Sequence, residues 1–341
     1  MQNRNDFGVS VFRYTHSPEV HSWTMMLNAQ AVARSLPYDR LIAALEDAFR
    51  GEVEVPDRSQ HRIRVPGHAD GTLLLMPAWR VGGVLGIKIV TVFPGNVTKD
   101  LPSVSASYLL LDATTGQTLG MLDGAELTAR RTAAASALAS KYLSRTDASI
   151  LLMVGTGKLA PHLIRAHATV RPISRVLIWG RRPGSAEQVA DNLANEPYSV
   201  TPVSNLELAV KAADIISCAT LATAPLIKGQ WLREGQHVDL VGAFTPQMSE
   251  ADPEAVLMSA VYVDTRAGAL AEAGEIVQAL ASGKFKQADI VGDLFDLARG
   301  TCPPRRSPQT ITLFKSVGSA LEDLAAAELA TQQNKGSSSD E

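Results

Sequence analysis

The chain has 341 residues, a length that accommodates two domains. Hydrophobic residues make up 45% of it and charged residues 20%, the balance of a soluble globular enzyme rather than of a disordered or fibrous chain. A formal net charge of −3 gives no bulk reason to expect nucleic acid or an anionic membrane as a partner. Two cysteines, Cys218 and Cys302, make neither a disulfide framework nor a metal site.

In chain order, residues 1–25 read as a polar, aperiodic extension that lacks the apolar core of a signal peptide. No apolar stretch approaches the roughly 20 residues needed to span a bilayer. With so few cysteines the expected compartment is the reducing cytoplasm. Residues 27–49 carry Leu41, Ile42, Leu45, Ala48 and Phe49 at helical spacing, with a break at Pro37. Short strands follow at 61–65, at 71–76 (ended by Pro77) and at 85–93. Residues 105–111 and 118–122 pair as a hairpin across Asp112 to Gly116. An alanine-rich helix is predicted over 125–143.

From 148 to 298 apolar strands alternate with helices: Ile150–Val154, 176–179, 215–219, 237–241 and Ala260–Val263. This pattern defines an α/β, doubly wound domain. A strand at 310–314 and a helix over 317–330 close the chain. A polar tail then begins at Gln332, and its composition predicts disorder.

The most informative stretch joins the first two of these strands to helices. Gly155-Thr156-Gly157-Lys158-Leu159-Ala160 is a G-x-G-x-x-A turn between a strand and a helix. Gly155 permits the tight turn, Gly157 lets a pyrophosphate approach the backbone, and Ala160 allows close helix packing. The helix N-terminus offers N–H groups to phosphate. The next strand ends in Gly180, where a site for NAD carries an acid that binds the ribose hydroxyl. Arg181 and Arg182 follow instead. Planar, always charged donors suit a 2′-phosphate, so the expected cofactor is NADPH or NADP+.

Two basic residues are placed unlike surface charges. Lys88 shares a strand face with Val90 and an apolar stripe, where an ammonium either snorkels or holds an anion. Arg131 lies on the helix stripe of Leu127, Ala134, Ala135 and Leu138, and needs a partner there: a bound carboxylate or a buried acid. Arg130 instead follows Glu126 by four residues and reads as its surface partner. Arg64 shares a strand face with Arg62, and either is compatible with solvation.

Together these stretches resemble the ornithine cyclodeaminase/mu-crystallin family from about Leu27 to Ala330. The residues that carry the resemblance are Leu75-Met-Pro77, Gly86-Ile-Lys88, Glu126-Leu-Thr-Ala-Arg-Arg-Thr-Ala-Ala134, the glycine turn, Asp239-Leu-Val-Gly-Ala-Phe244 and Ser316-Val-Gly-Ser-Ala-Leu-Glu-Asp323. The resemblance implies a Rossmann-type nucleotide domain (135–311) inserted into an α+β substrate-binding and dimerisation domain (26–134 plus 312–332), with 333–341 as a tail. It implies a homodimer and no metal.

It further implies that Arg64, Lys88 and Arg131 hold a substrate carboxylate beside the nicotinamide. Ala219, Thr220, Val317 and Gly318 join the turn residues as expected cofactor contacts. Two acids that cyclodeaminases carry are replaced here by Leu74 and Phe244. The resemblance is therefore to the reductases of cyclic ketimines, acting on Δ1-pyrroline-2-carboxylate and Δ1-piperideine-2-carboxylate. Lys88 or Thr245 is the candidate proton donor to the imine nitrogen, with a bound water as the third option. Three other activities stay open at this point: a cyclodeaminase, an alanine dehydrogenase, and a non-catalytic NADPH-binding protein of the mu-crystallin kind.

Overall fold

The structure, a computed structural model, describes residues 3–4, 9–13 and 23–336. The chain divides into two units. One comprises the residues up to Arg131 and those from Ala320 on; the other is Thr132–Ser319.

The first unit contains β1 (Asn3–Arg4), β2 (Val9–Arg13), β3 (Trp23–Leu27), α1 (Ala29–Ser35), α2 (Tyr38–Arg50), β4 (Ser59–Ile63), β5 (Gly71–Trp79), β6 (Val84–Val92), β7 (Val104–Asp112) and β8 (Thr118–Asp123). The division between units falls inside α3 (Gly124–Leu143). The strands form one sheet in the order β1-β2-β3-β8-β7-β6-β5-β4, an antiparallel meander from β4 to β8 with β3 added parallel to β8. Leu41, Ile42, Leu45, Ala48 and Phe49 form the buried stripe of α2, and Pro37 separates it from α1 as its N-cap. The C-terminal helix packs on α2 and on β5, β6 and β7.

Two expectations for this unit are corrected. Residues 9–13 and 23–27 are strands, so the expected extension contributes to the sheet. The pairing that recruits them is distant in sequence (Met25 opposite Gly120) and leaves no local periodicity to read. Pro77 also does not end β5, which runs to Trp79. The Trp79 N–H donates to Glu54 on the side away from β6, and the Pro77 nitrogen faces the same way. Since β4 stops opposite Leu75, no ladder bond is missing there.

The second unit continues with β9 (Ile150–Val154), α4 (Leu159–Val170), β10 (Arg175–Trp179), α5 (Ser185–Asn192), β11 (Ser199–Pro202), α6 (Leu206–Ala212), β12 (Ile215–Cys218), β13 (His237–Leu240), α7 (Pro253–Leu257), β14 (Ala260–Val263), α8 (Arg266–Glu272), α9 (Gly274–Ala281), β15 (Ile290–Asp293), α10 (Leu294–Arg299) and β16 (Thr312–Lys315). All eight strands are parallel, in the order β11-β10-β9-β12-β13-β16-β14-β15. Both faces are covered, so Leu152, Ile216, Val238, Val261 and Leu313 are wholly buried. Successive strands lie on opposite sides of β9, which places a switch point between β9 and β12. This is a doubly wound α/β unit inserted into an α+β unit.

Here β16, expected to return with the first domain from residue 312, instead lies between β13 and β14, and the unit ends at Ser319. The final helix, α11 (Ala320–Gly336), runs through residues 332–336, which composition alone marks as a polar tail. Residues 337–341 lie outside the described residues.

Candidate active site

Lys88 lies at the centre of β6, opposite Met76 on β5 and Tyr108 on β7. Its face of the sheet is the one Leu74 shares, two residues from Met76. Lys88 is 3% exposed and Arg131 5%, too little for solvated surface charges. Both meet acids on α11. Lys88 Nζ is 2.6 Å from Asp323 Oδ2. Arg131 Nε donates to Asp323 Oδ1 at 2.8 Å, and its Nη1 donates to Glu322 Oε2 at 2.6 Å. Glu322 and Asp323 are wholly buried.

The four charges therefore sum to zero inside the first unit. Burial pushes the Lys88 ammonium below its ordinary pKa, Asp323 pulls it back, and the neighbouring Arg131 adds to the depression. Burial also works against the Arg131 charge, but Asp323 and Glu322 outweigh it and hold the guanidinium above its usual value. The Tyr108 hydroxyl reaches over Gly86, and a Cβ at Gly86 would collide with it.

Of the two readings of Arg131, a buried acid does partner it, and its Nη2 donates none of the described hydrogen bonds. Arg64 is not brought to this cluster; it is exposed, one residue beyond β4. Arg130 pairs with Glu126 at 2.6 Å as its spacing predicts. It is not simple surface charge, however, because it also donates to the Leu36 carbonyl and stacks over the Tyr38 ring.

In the second unit the glycine turn stands at the carboxyl end of β9, beside the switch point. Gly155 has φ +117°, and a Cβ there would lie 2.5 Å from the Ala219 carbonyl oxygen, so only glycine fits. A Cβ on Gly157 would meet nothing within 4 Å, which leaves its backbone open to an approaching ligand. Thr156 is half-buried, Lys158 is exposed, Leu159 opens α4 and Ala160 is fully buried against the sheet. No side chain caps α4, a 12-residue helix. This geometry fits a dinucleotide pyrophosphate.

Gly180 packs against Thr156 and Ser185, each of which would be 2.7 Å from a Cβ there. Arg181 and Arg182 are exposed, and neither takes part in the described ion pairs. Their loop is pinned because Ser185 Oγ donates to the Arg182 carbonyl at 2.7 Å.

Buried acids that composition did not single out hold the remaining loops. Glu250, wholly buried and pushed up in pKa by that burial, accepts from Thr220 N, Thr220 Oγ1 and Gly242 N. Asp264 accepts from Ser316 Oγ, Val317 N and Gly318 N, and Gly318 adopts φ +86°. The amides of Thr220, Val317 and Gly318 are thereby committed to these acids, so any cofactor contact from them comes through other atoms. Phe244 is 49% exposed on the loop after β13, and Thr245 beside it accepts the Met248 N–H. The sequence signal for Glu322 and Asp323 is a pair of acids set between Leu321 and Leu324 in the alanine-rich first half of α11.

Fold and turn together define a dinucleotide-binding protein of the Rossmann class joined to a smaller α+β unit. Residues 22–338 match the ornithine cyclodeaminase/mu-crystallin family, and the chain belongs to that family. It is 47% identical over 323 residues to an uncharacterised protein of Schizosaccharomyces pombe, covering 92% of this chain and 98% of that one. It is 40% identical over 262 residues to the Delta(1)-pyrroline-2-carboxylate reductase of Paracoccus denitrificans, covering 76% and 83%. Among solved structures, the Thermococcus litoralis Delta(1)-pyrroline-2-carboxylate reductase in complex with NADH and L-proline superposes with a TM-score of 0.85 at 34% identity, over 92% of this chain and 98% of that one.

Proposed function

We propose that the protein is a cytoplasmic, NADPH-dependent reductase of cyclic ketimines, converting Δ1-pyrroline-2-carboxylate to L-proline and Δ1-piperideine-2-carboxylate to L-pipecolate. The observation that carries the reading is the buried pair of cations, Lys88 and Arg131, on a face where Leu74 supplies an apolar neighbour. Lys88 and Arg131 grip the substrate carboxylate; Arg64, exposed beyond β4, lies outside their cluster. This is catalysis mainly by positioning. The nicotinamide, when bound, supplies the hydride to the imine carbon.

Charge balance supports a cyclic imine over a diamine. The quartet of Lys88, Arg131, Glu322 and Asp323 is already neutral, so a bound carboxylate leaves one negative charge. A protonated imine nitrogen in the same small molecule cancels it. An imine that binds unprotonated takes its proton within the site, which leaves the total charge unchanged; Lys88, already below its ordinary pKa, is the side chain best suited to deliver it, with Thr245 the second candidate. A second, distal ammonium would lack the two acids that Leu74 and Phe244 replace in the sequence, a penalty of roughly several kcal/mol.

The cofactor is held at Gly155, Thr156, Gly157 and the start of α4, and its 2′-phosphate by Arg181 and Arg182. No acid stands at Gly180 to repel that phosphate. A homodimer is supported by the far face of the first sheet, where Leu73, Leu75, Ile87, Ile89, Leu109 and Met121 stay partly exposed. The mass in solution tests this, and a monomer would refute it. The activity is tested by titrating NADPH consumption with each imine and resolving the product enantiomers. L-Proline and L-pipecolate are expected; turnover of neither imine overturns the reading.

A further inference from the structure

The carboxylate of Asp323 serves two cations at once. Its Oδ2 meets Lys88 Nζ at 2.6 Å and its Oδ1 receives Arg131 Nε at 2.8 Å. These cations come from a strand and a helix 43 positions apart in the chain, and each is nearly solvent-free. Left alone they repel each other, and Asp323 is the carboxylate whose described contacts reach both. We propose that Asp323 is a positioning residue for the substrate clamp. Its one short carboxylate, anchored on α11, fixes the spacing of Lys88 and Arg131 and keeps Lys88 an ammonium at working pH. The proposal rests on the reductase reading above.

The physical case is a balance of opposed effects on one nitrogen. Burial and Arg131 both favour neutral Lys88, while Asp323 and, more weakly, Glu322 favour the cation. Across the strand stands Tyr108, whose hydroxyl burial keeps protonated and therefore uncharged. Further along α11, Glu328 is taken up by Arg80. Removing the Asp323 charge thus leaves Glu322 as the one remaining anion near Lys88 in the cluster, and it is the carboxylate that Arg131 already holds. Two consequences follow: Lys88 loses its proton at lower pH, and the two cations drift apart. The first weakens carboxylate binding more as pH rises; the second weakens it at every pH.

The test compares kcat/KM for Δ1-pyrroline-2-carboxylate in Asp323→Asn with the unmodified enzyme across a pH series. The substrate's own titration is common to both and cancels in the ratio. The ratio is expected to fall steadily as pH rises. At neutral pH the KM for the imine rises about tenfold or more while that for NADPH is little changed. Asp323→Glu keeps the charge but lengthens the arm, so its ratio should be level with pH while its KM for the imine is still raised. A level ratio for the Asn variant, or equal losses for imine and cofactor, would overturn the proposal. Should the Asn variant not fold, an unchanged imine KM in the Glu variant would do the same. Absence of imine turnover in the unmodified enzyme would instead remove the reductase reading, and the proposal with it.

Discussion

Neighbouring arginines show how much depends on helix phase. Arg131 points into a closed pocket of acids, whereas Arg130 lies along the flank of α3 with Glu126, Leu36 and Tyr38. Replacing Arg131 with alanine takes from the buried Glu322 and Asp323 one of the cluster's two cations, a loss of roughly 3–5 kcal/mol in stability, and removes imine turnover. Arg130→Ala should cost about 1–2 kcal/mol through its carbonyl and carboxylate bonds and leave the imine KM where it was. Thermal melts and steady-state kinetics on the two variants check this; equal kinetic losses would contradict the assignment. At the cofactor, Arg181→Ala with Arg182→Ala should raise the NADPH KM at least about tenfold and barely affect NADH. Equal use of both cofactors by the unmodified protein would refute the 2′-phosphate role.

Elements with a strong internal period were legible in the sequence. The stripe of α2, the apolar runs of β9, β10, β12, β13 and β14 and the glycine turn all reveal themselves locally, and so does the phase that buries Arg131. Elements defined by distant partners were not: β2 and β3 join the sheet through β8, and β11 and β15 are short edge strands without an apolar run. The acids escaped for a related reason, since a buried carboxylate is recognised by what it meets and not by its neighbours in sequence. Glu250 and Asp264 hold loops whose glycines and threonines look like ligand contacts when read alone.

β13 adds a case in which burial sets acid stability. His237 is wholly buried and burial pushes its pKa down to about 3 from 6.5. Thr312 Oγ1 donates to the Leu143 carbonyl, so it accepts from His237 Nδ1; Nε2 has no partner among the described residues. A second proton would have nowhere to bond. The unfolded chain takes up that proton below its ordinary pKa and the native protein does not, so stability falls as pH drops from about 6.5 toward 3. The slope from this group is roughly 1.4 kcal/mol per pH unit. His237→Gln should flatten that acid limb in urea melts, and an unchanged limb would show that other groups set it.

The molecule as a whole combines a neutral, buried charge cluster in the first unit with a nucleotide-binding second unit, and no helix among the described residues is long and apolar enough to cross a membrane. On the proposed reading, the decisive question is whether a diamine's second nitrogen finds an acid, and the resemblance matches Leu74 and Phe244 to the two positions that carry one in cyclodeaminases. The most direct measurement offers the unmodified protein Δ1-pyrroline-2-carboxylate with NADPH and, in parallel, L-ornithine with NAD+, following NADPH, proline and ammonia. Rapid NADPH oxidation yielding L-proline, with no ammonia from ornithine, is the expected result. Ammonia and proline formed from ornithine at a rate matching or exceeding the imine reaction would mean that an acid elsewhere receives the distal amine, and the reductase assignment would be withdrawn.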